Sequence, residues 1–152
     1  MKKILFTLAI SLTIAGNSAF AGGEEVVTFR IRESLKKEFS TAQDVRWQQI
    51  KNENIFLAQF IYNNERLCAF FDENGQLLVV SRAISAASLP LLVTKKISSK
   101  YKDYTLQEVL EYVNGGDTSY LLQLVKGNVR VIVQAFPEGN IQIFKTERIK
   151  IK

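Results

Sequence analysis

The side chains able to move a proton, attack a carbonyl or hold a metal are few in this chain, and their spacing is uninviting. The 152 residues contain no histidine. Ser-His-Asp and Cys-His nucleophiles, His-ligated zinc and imidazole proton transfer are therefore all removed. Carboxylate pairs remain as acid–base or calcium-binding candidates: Asp72 with Glu73, Glu108 with Glu111, and Asp103 with Asp117. Asp72 and Glu73 stand in a turn-forming run, where Asp is expected for local backbone reasons. Glu108 and Glu111 lie three apart on a predicted strand and so face opposite sides of it. Cys68 is the only cysteine, so no disulfide forms within one chain. In an apolar strand it reads as a small buried hydrophobe, with a dimer-forming or redox role as the competing reading. No glycine-rich loop joins a strand to a helix, so nucleotide binding has no motif. The residues point away from an enzyme, and neither a cofactor nor a metal is expected.

The chemistry left is recognition. Phe70, Arg82, Arg130, Gln134 and Phe144 are the residues expected to contact a partner. Aromatic and Arg side chains contribute most of the affinity at protein interfaces, and these five mix both with an amide. They share one predicted sheet face, because side chains alternate with a period of two. Phe56, Ala58, Phe60, Leu67, Ala69, Phe71, Leu77 and Val79 are assigned to the helix-covered side, with Tyr120, Leu122, Leu124, Val131, Val133, Ala135, Ile141 and Ile143 in the second half. The opposite side then carries Gln59, Ile61, Arg66, Cys68, Phe70, Gln76, Arg82, Gln123, Arg130, Ile132, Gln134, Gln142 and Phe144. An ordinary solvated face with scattered apolar residues is the alternative reading of this set. Trp47 shares the parity of Val45 and is expected over the first helix. Tyr62, Tyr112 and Tyr120 read as core-edge residues whose hydroxyls reach water.

The elements that must position these residues come in two similar sets. Val27, Ile31, Leu35 and Phe39 repeat the spacing of Leu89, Val93, Ile97 and Tyr101, each pair 62 positions apart. At a spacing of 64, Val45 matches Val109, Phe56 Tyr120, Ala58 Leu122, Phe60 Leu124 and Gly75 Gly139, which calls for a two-residue insertion before Val109. The spacing predicts a helix over about Val26 to Phe39, with Lys36 and Lys37 suited to the negative pole of its dipole. Strands follow at Val45 to Ile50, Ile55 to Tyr62, Arg66 to Phe71 and Gln76 to Arg82. Asn63-Asn64 and Asp72-Glu73-Asn74-Gly75 supply the turns. In the second half Ser88 is expected to cap a helix with Pro90 in its first turn. Strands are predicted at Leu106 to Val113, Ser119 to Val125, Asn128 to Ala135 and Asn140 to Ile149. The fold class is α+β: two tandem helix-plus-four-strand repeats, about 26–82 and 88–149, form one antiparallel sheet with two helices on one face.

Lys2 and Lys3 precede an apolar run from Ile4 to Ala15, and Ser18-Ala19-Phe20-Ala21 ends in a small-x-small pattern. Residues 1–21 read as a signal peptide cleaved after Ala21. The competing reading, a membrane anchor, needs roughly 20 apolar residues, and the run is shorter. Residues 22–152 then form a single domain, exported and without a membrane span. A net charge of +5, about +3 after loss of Lys2 and Lys3, is mild and spread along the chain. With export it argues against nucleic acid.

Two helix-plus-meander repeats, Val45-x-Trp47, Ala58-x-Phe60, Phe71-Asp72-Glu73-Asn74-Gly75 and Leu89-Pro90 together resemble the PepSY-like family of exported proteins related to β-lactamase inhibitory protein. The resemblance spans nearly the whole mature chain, although the paired cysteines of that inhibitor are missing. It implies a non-enzymatic periplasmic or secreted module whose relatives restrain enzymes by covering them with the open sheet face. An exported protein partner is therefore expected, and the oligomeric state is left open. The alternative reading is a binder of a small anionic ligand or a cell-envelope polymer.

Overall fold

Thr28 opens the first helix by accepting a hydrogen bond on its hydroxyl from the Ile31 amide, one of the donors a helix start leaves without a partner. The structure, a computed structural model, describes residues 27–50 and 53–150. The expected signal peptide and the expected helix start at Val26 lie outside those residues. Helix α1 spans Phe29–Glu38, buries Ile31 and Leu35, and ends with Lys36 and Lys37 in its last turn. Strands β1 (Gln43–Ile50), β2 (Ile55–Tyr62), β3 (Glu65–Phe71) and β4 (Leu77–Ala83) follow. A short 3₁₀ turn at Ala86–Ser88 leads into α2 (Leu91–Lys100), then β5 (Thr105–Asn114), β6 (Asp117–Lys126), β7 (Val129–Ala135) and β8 (Ile141–Arg148).

Ser88 does not cap α2. Its hydroxyl pairs with that of Ser85 within the 3₁₀ turn, and Pro90 occupies the capping place. The cause is local: a residue before proline is driven out of helical conformation, and Leu89 is extended at φ −67°, ψ 144°. The helix can begin only beyond Pro90.

The eight strands form one sheet in chain order, every neighbour pair antiparallel. Short turns make this possible, with Asn63 and Asn64 both at positive φ between β2 and β3. Between β3 and β4 the Asp72 carboxylate accepts from the amides of Asn74 and Gln76. Gly75 completes that turn at φ +80°, and a Cβ there would lie 2.8 Å from Ser34 Oγ of α1. Gly139 repeats the arrangement beneath α2, where a Cβ would meet that of Leu92 at 3.1 Å. Each glycine thus lets a turn lie against its helix.

Both helices pack on the same sheet face. Ile31 and Leu35 share a core with Trp47, Phe56, Ala58, Phe60, Leu67, Ala69 and Phe71. Trp47 lies over Phe71 at 5.9 Å between ring centroids, in the core as expected. Val93, Ile97 and Tyr101 share a second core with Val109, Tyr120, Leu122, Leu124 and Val133. The row Leu67–Arg82–Glu111–Tyr120 crosses β3 to β6 in register and joins the two cores on one side.

Single extra residues interrupt the ladders at Gln43–Arg46 of β1, Leu78 of β4, Gln107 of β5 and Phe144 of β8. The bulge at Leu78 changes the expected facing. Phe71 pairs with Leu77 but Phe70 with Val79, so Val79 joins the opposite face and Val80 takes the helix side. The expected match of Val45 with Val109 is not the one the register gives. Trp47 pairs with Ala58 and Val109 with Leu122, so Val109 corresponds to Trp47, 62 positions earlier, and not to Val45. The strands of the β5–β6 hairpin are longer than those of the β1–β2 hairpin.

Candidate partner-binding face

Neither helix lies over the other side of the sheet, and that side is uneven. Across β1–β4 it is apolar at its centre: Ile55, Phe70 and Val79 form a small third core, flanked by the half-buried Ile50, Leu57, Cys68, Leu78 and Tyr112. Arg46, Gln48, Gln59 and Arg66 surround it, each on the face opposite Trp47, Ala58 and Leu67. Arg46 and Leu57 were not among the residues singled out from the sequence, although their parity opposite Trp47 and Ala58 carried the signal.

A polar row, Gln59–Cys68–Ser81–Tyr112–Ser119, crosses the middle of the molecule in register. Burial pushes the Cys68 thiol upward, partly offset by the Ser81 hydroxyl and the charge of Arg66. Burial also raises the Tyr112 phenol well above its ordinary range, with the neighbouring Cys68 and Glu108 adding to it. Tyr112 itself is half-buried at the edge of the small third core, directly opposite Ser81 of β4. Cys68 is a protonated, half-buried thiol, in keeping with a packing role.

The second half of the face carries polar side chains paired with one another, although Arg130 Nε has no hydrogen-bond partner among the described residues. Arg130 Nη1 meets Glu147 Oε1 at 2.8 Å, and Lys145 Nζ meets Glu147 Oε2 at 2.7 Å. These cations, Lys145 first, hold the Glu147 carboxyl below its usual value. Gln142 donates to Gln134 at 2.7 Å and Gln123 to Gln107 at 3.0 Å.

The five expected contact residues are therefore not one cluster. Arg130, Gln134 and Phe144 come together on β7 and β8, where Phe144 is the extra residue of the bulge opposite Ile132. Phe70 shares their face but is 3% exposed, too covered to serve as a protruding anchor. Arg82 lies on the helix side, a correction that follows from the bulge at Leu78. There it holds Glu111 through Nε and Glu65 through Nη1, both at 2.7 Å, and those carboxylates raise its pKa, Glu111 first.

Arg82 and its two carboxylates line a recess of about 350 Å³ with Tyr62, Leu67, Val80 and Val113, between the two helix-covered cores. Two carboxylates against one guanidinium give it the wrong sign for a small anion. Among the described residues no group of acids and thiols could hold a metal ion, and no helix is long and apolar enough to cross a membrane. Glu108 and Glu111 do face opposite sides, Glu108 pairing with Gln123 and Glu111 with Tyr120.

No protein family and no curated protein matches the chain. Solved structures do. A DUF2874 family protein from Bacteroides uniformis matches with a TM-score of 0.71 at 17% identity, over 80% of this chain and 89% of that one. A candidate periplasmic protein from Bacteroides eggerthii matches with a TM-score of 0.70 at 16% identity, over 80% and 88%. A BLIP-like protein from Bacteroides fragilis matches with a TM-score of 0.67 at 17% identity, over 82% and 88%. The likeness is one of fold, and the chain has the BLIP-like architecture of an eight-stranded antiparallel sheet bearing two helices.

Proposed function

We propose that the mature chain is an exported, non-enzymatic protein-binding module that meets its partner with the helix-free face of the sheet. The observation carrying this reading is that both helices pack on one side, while the other side keeps an apolar centre ringed by arginine and glutamine. Such a composition suits an interface core and rim. The basic-then-apolar start of the chain supports export to the periplasm or medium, and the BLIP-like fold supports a role as inhibitor or regulator of an exported enzyme. The matching order of helix and four strands in each half supports an origin by tandem doubling within one domain, residues 22–152. The test is affinity capture from the cell envelope with mature protein as bait, beside a bait carrying Gln59→Trp and Gln123→Trp, one bulky group on each half of the face. A partner that the wild type retains and the double variant loses supports the reading. Equal retention by both baits overturns it.

A further inference from the structure

The two halves of the open face differ in charge, and the difference lies at matching places. In the second half Arg130 stands opposite Glu147 and pairs with it, sharing that carboxylate with Lys145. Arg66 holds the corresponding place on β3, 64 positions earlier. Continuing the register one step from Leu67–Arg82 sets Ala83 opposite it, where no carboxylate is available. Arg46 pairs with Gln59 as Glu108 pairs with Gln123, so the first half carries a cation where the second carries an acid. Arg46 and Arg66 are exposed, and among the described residues neither forms an ion pair. Asp44, two residues before Arg46, lies in the β1 bulge and forms none either. The half-buried apolar side chains of the face, Ile50, Leu57 and Leu78 around the covered Phe70, lie in this same half.

Resting on the binding role assigned above to the open face, we infer that its β1–β4 half is the contact region, and that the partner is a protein surface presenting carboxylates to Arg46 and Arg66 beside apolar side chains for the Leu57 region. Guanidinium groups without an internal acid are available for bidentate pairing with a partner's carboxylates. The internally paired Arg130–Glu147–Lys145 network serves as the rim. An anionic polymer would use the arginines alone and leave the apolar centre uncovered.

The probe is a synthetic peptide alternating glutamate with leucine, titrated into the mature protein and followed by amide chemical shifts. Shifts are expected around Arg46, Leu57, Gln59 and Arg66. Arg66→Glu should weaken binding roughly tenfold or more, while Lys95→Glu, exposed on α2 on the other side of the sheet, leaves it unchanged. Shifts centred on β7 and β8, no shifts at all, or equal binding of pentaglutamate would overturn the inference, the last in favour of a polyanion. Bait variants separate this idea from the wider reading. If the captured partner is lost by Gln59→Trp/Gln123→Trp but kept by Arg46→Glu/Arg66→Glu, the open face stands as the interface and the acidic contact falls. Loss of the partner with both double variants supports the inference.

Discussion

Gly75 and Gly115 separate two costs that a glycine can hide. Both have positive φ, but a Cβ at Gly75 would press on Ser34 and the Arg30 carbonyl, whereas Gly115 has open space around it. Gly115→Ala should lose about 1 kcal/mol from backbone strain alone, and Gly75→Ala roughly 2 kcal/mol or more, measured by urea denaturation. Glu147 makes a prediction about acid. Its pKa is lowered in the folded state by Lys145 and Arg130, so its contribution is present above the unfolded glutamate pKa and lost as pH falls through the folded value. Glu147→Gln should lower the urea midpoint slightly at neutral pH, since the pairs are partly exposed, and the gap to wild type should close in acid as the folded-state carboxylate takes up its proton. Cys68, with its raised pKa, should be alkylated by iodoacetamide several-fold more slowly than a free thiol at about pH 8.

The two helices share a stripe spacing but begin differently, and that difference can be measured. Thr28→Ala removes a side-chain cap and should cost about 1 kcal/mol, while Ser88→Ala should change stability by less than about 0.5 kcal/mol, both read from thermal or urea unfolding. The sequence was most legible where one period ran undisturbed. The stripes Val27–Phe39 and Leu89–Tyr101 both fall in the cores, and the span Ile55–Tyr62 agrees with the observed β2 to the residue. It was least legible where a single residue broke the alternation. Leu78 is such a residue: it reads as one more member of an apolar strand, yet as a bulge it reverses the facing of everything after it, which sends Arg82 to the helix side. The candidate face was legible as a composition but not as a set of contacts. Nothing in the spacing of Arg130 and Glu147 announces that they pair, since their meeting depends on the bulge at Phe144.

At the scale of the molecule, two cores on one sheet raise the question of whether the halves unfold together. The junction is β4 against β5, pairing from Val80–Val113 to Ala83–Leu110 and reinforced on the helix side by Arg82 on Glu111. Trp47 is the only tryptophan and belongs to the first core, so its fluorescence reports on that half alone. Leu122 is fully buried in the second core, and Leu122→Ala should cost roughly 2 to 5 kcal/mol. If the sheet is one cooperative unit, that substitution lowers the Trp47 fluorescence midpoint as much as it lowers the circular dichroism midpoint; separate midpoints would make the halves independent folding units. The bulges have a last consequence. An open meander leaves its first and last strands as potential templates, to which a neighbouring chain could add and extend into a fibre. Here β1 is kinked at Asp44 and guarded by Arg46, and β8 is kinked at Phe144 and guarded by Lys145 and Arg148. The same irregularities that scramble the alternation in the sequence thus blunt both outer edges of this broad sheet as templates for a further strand.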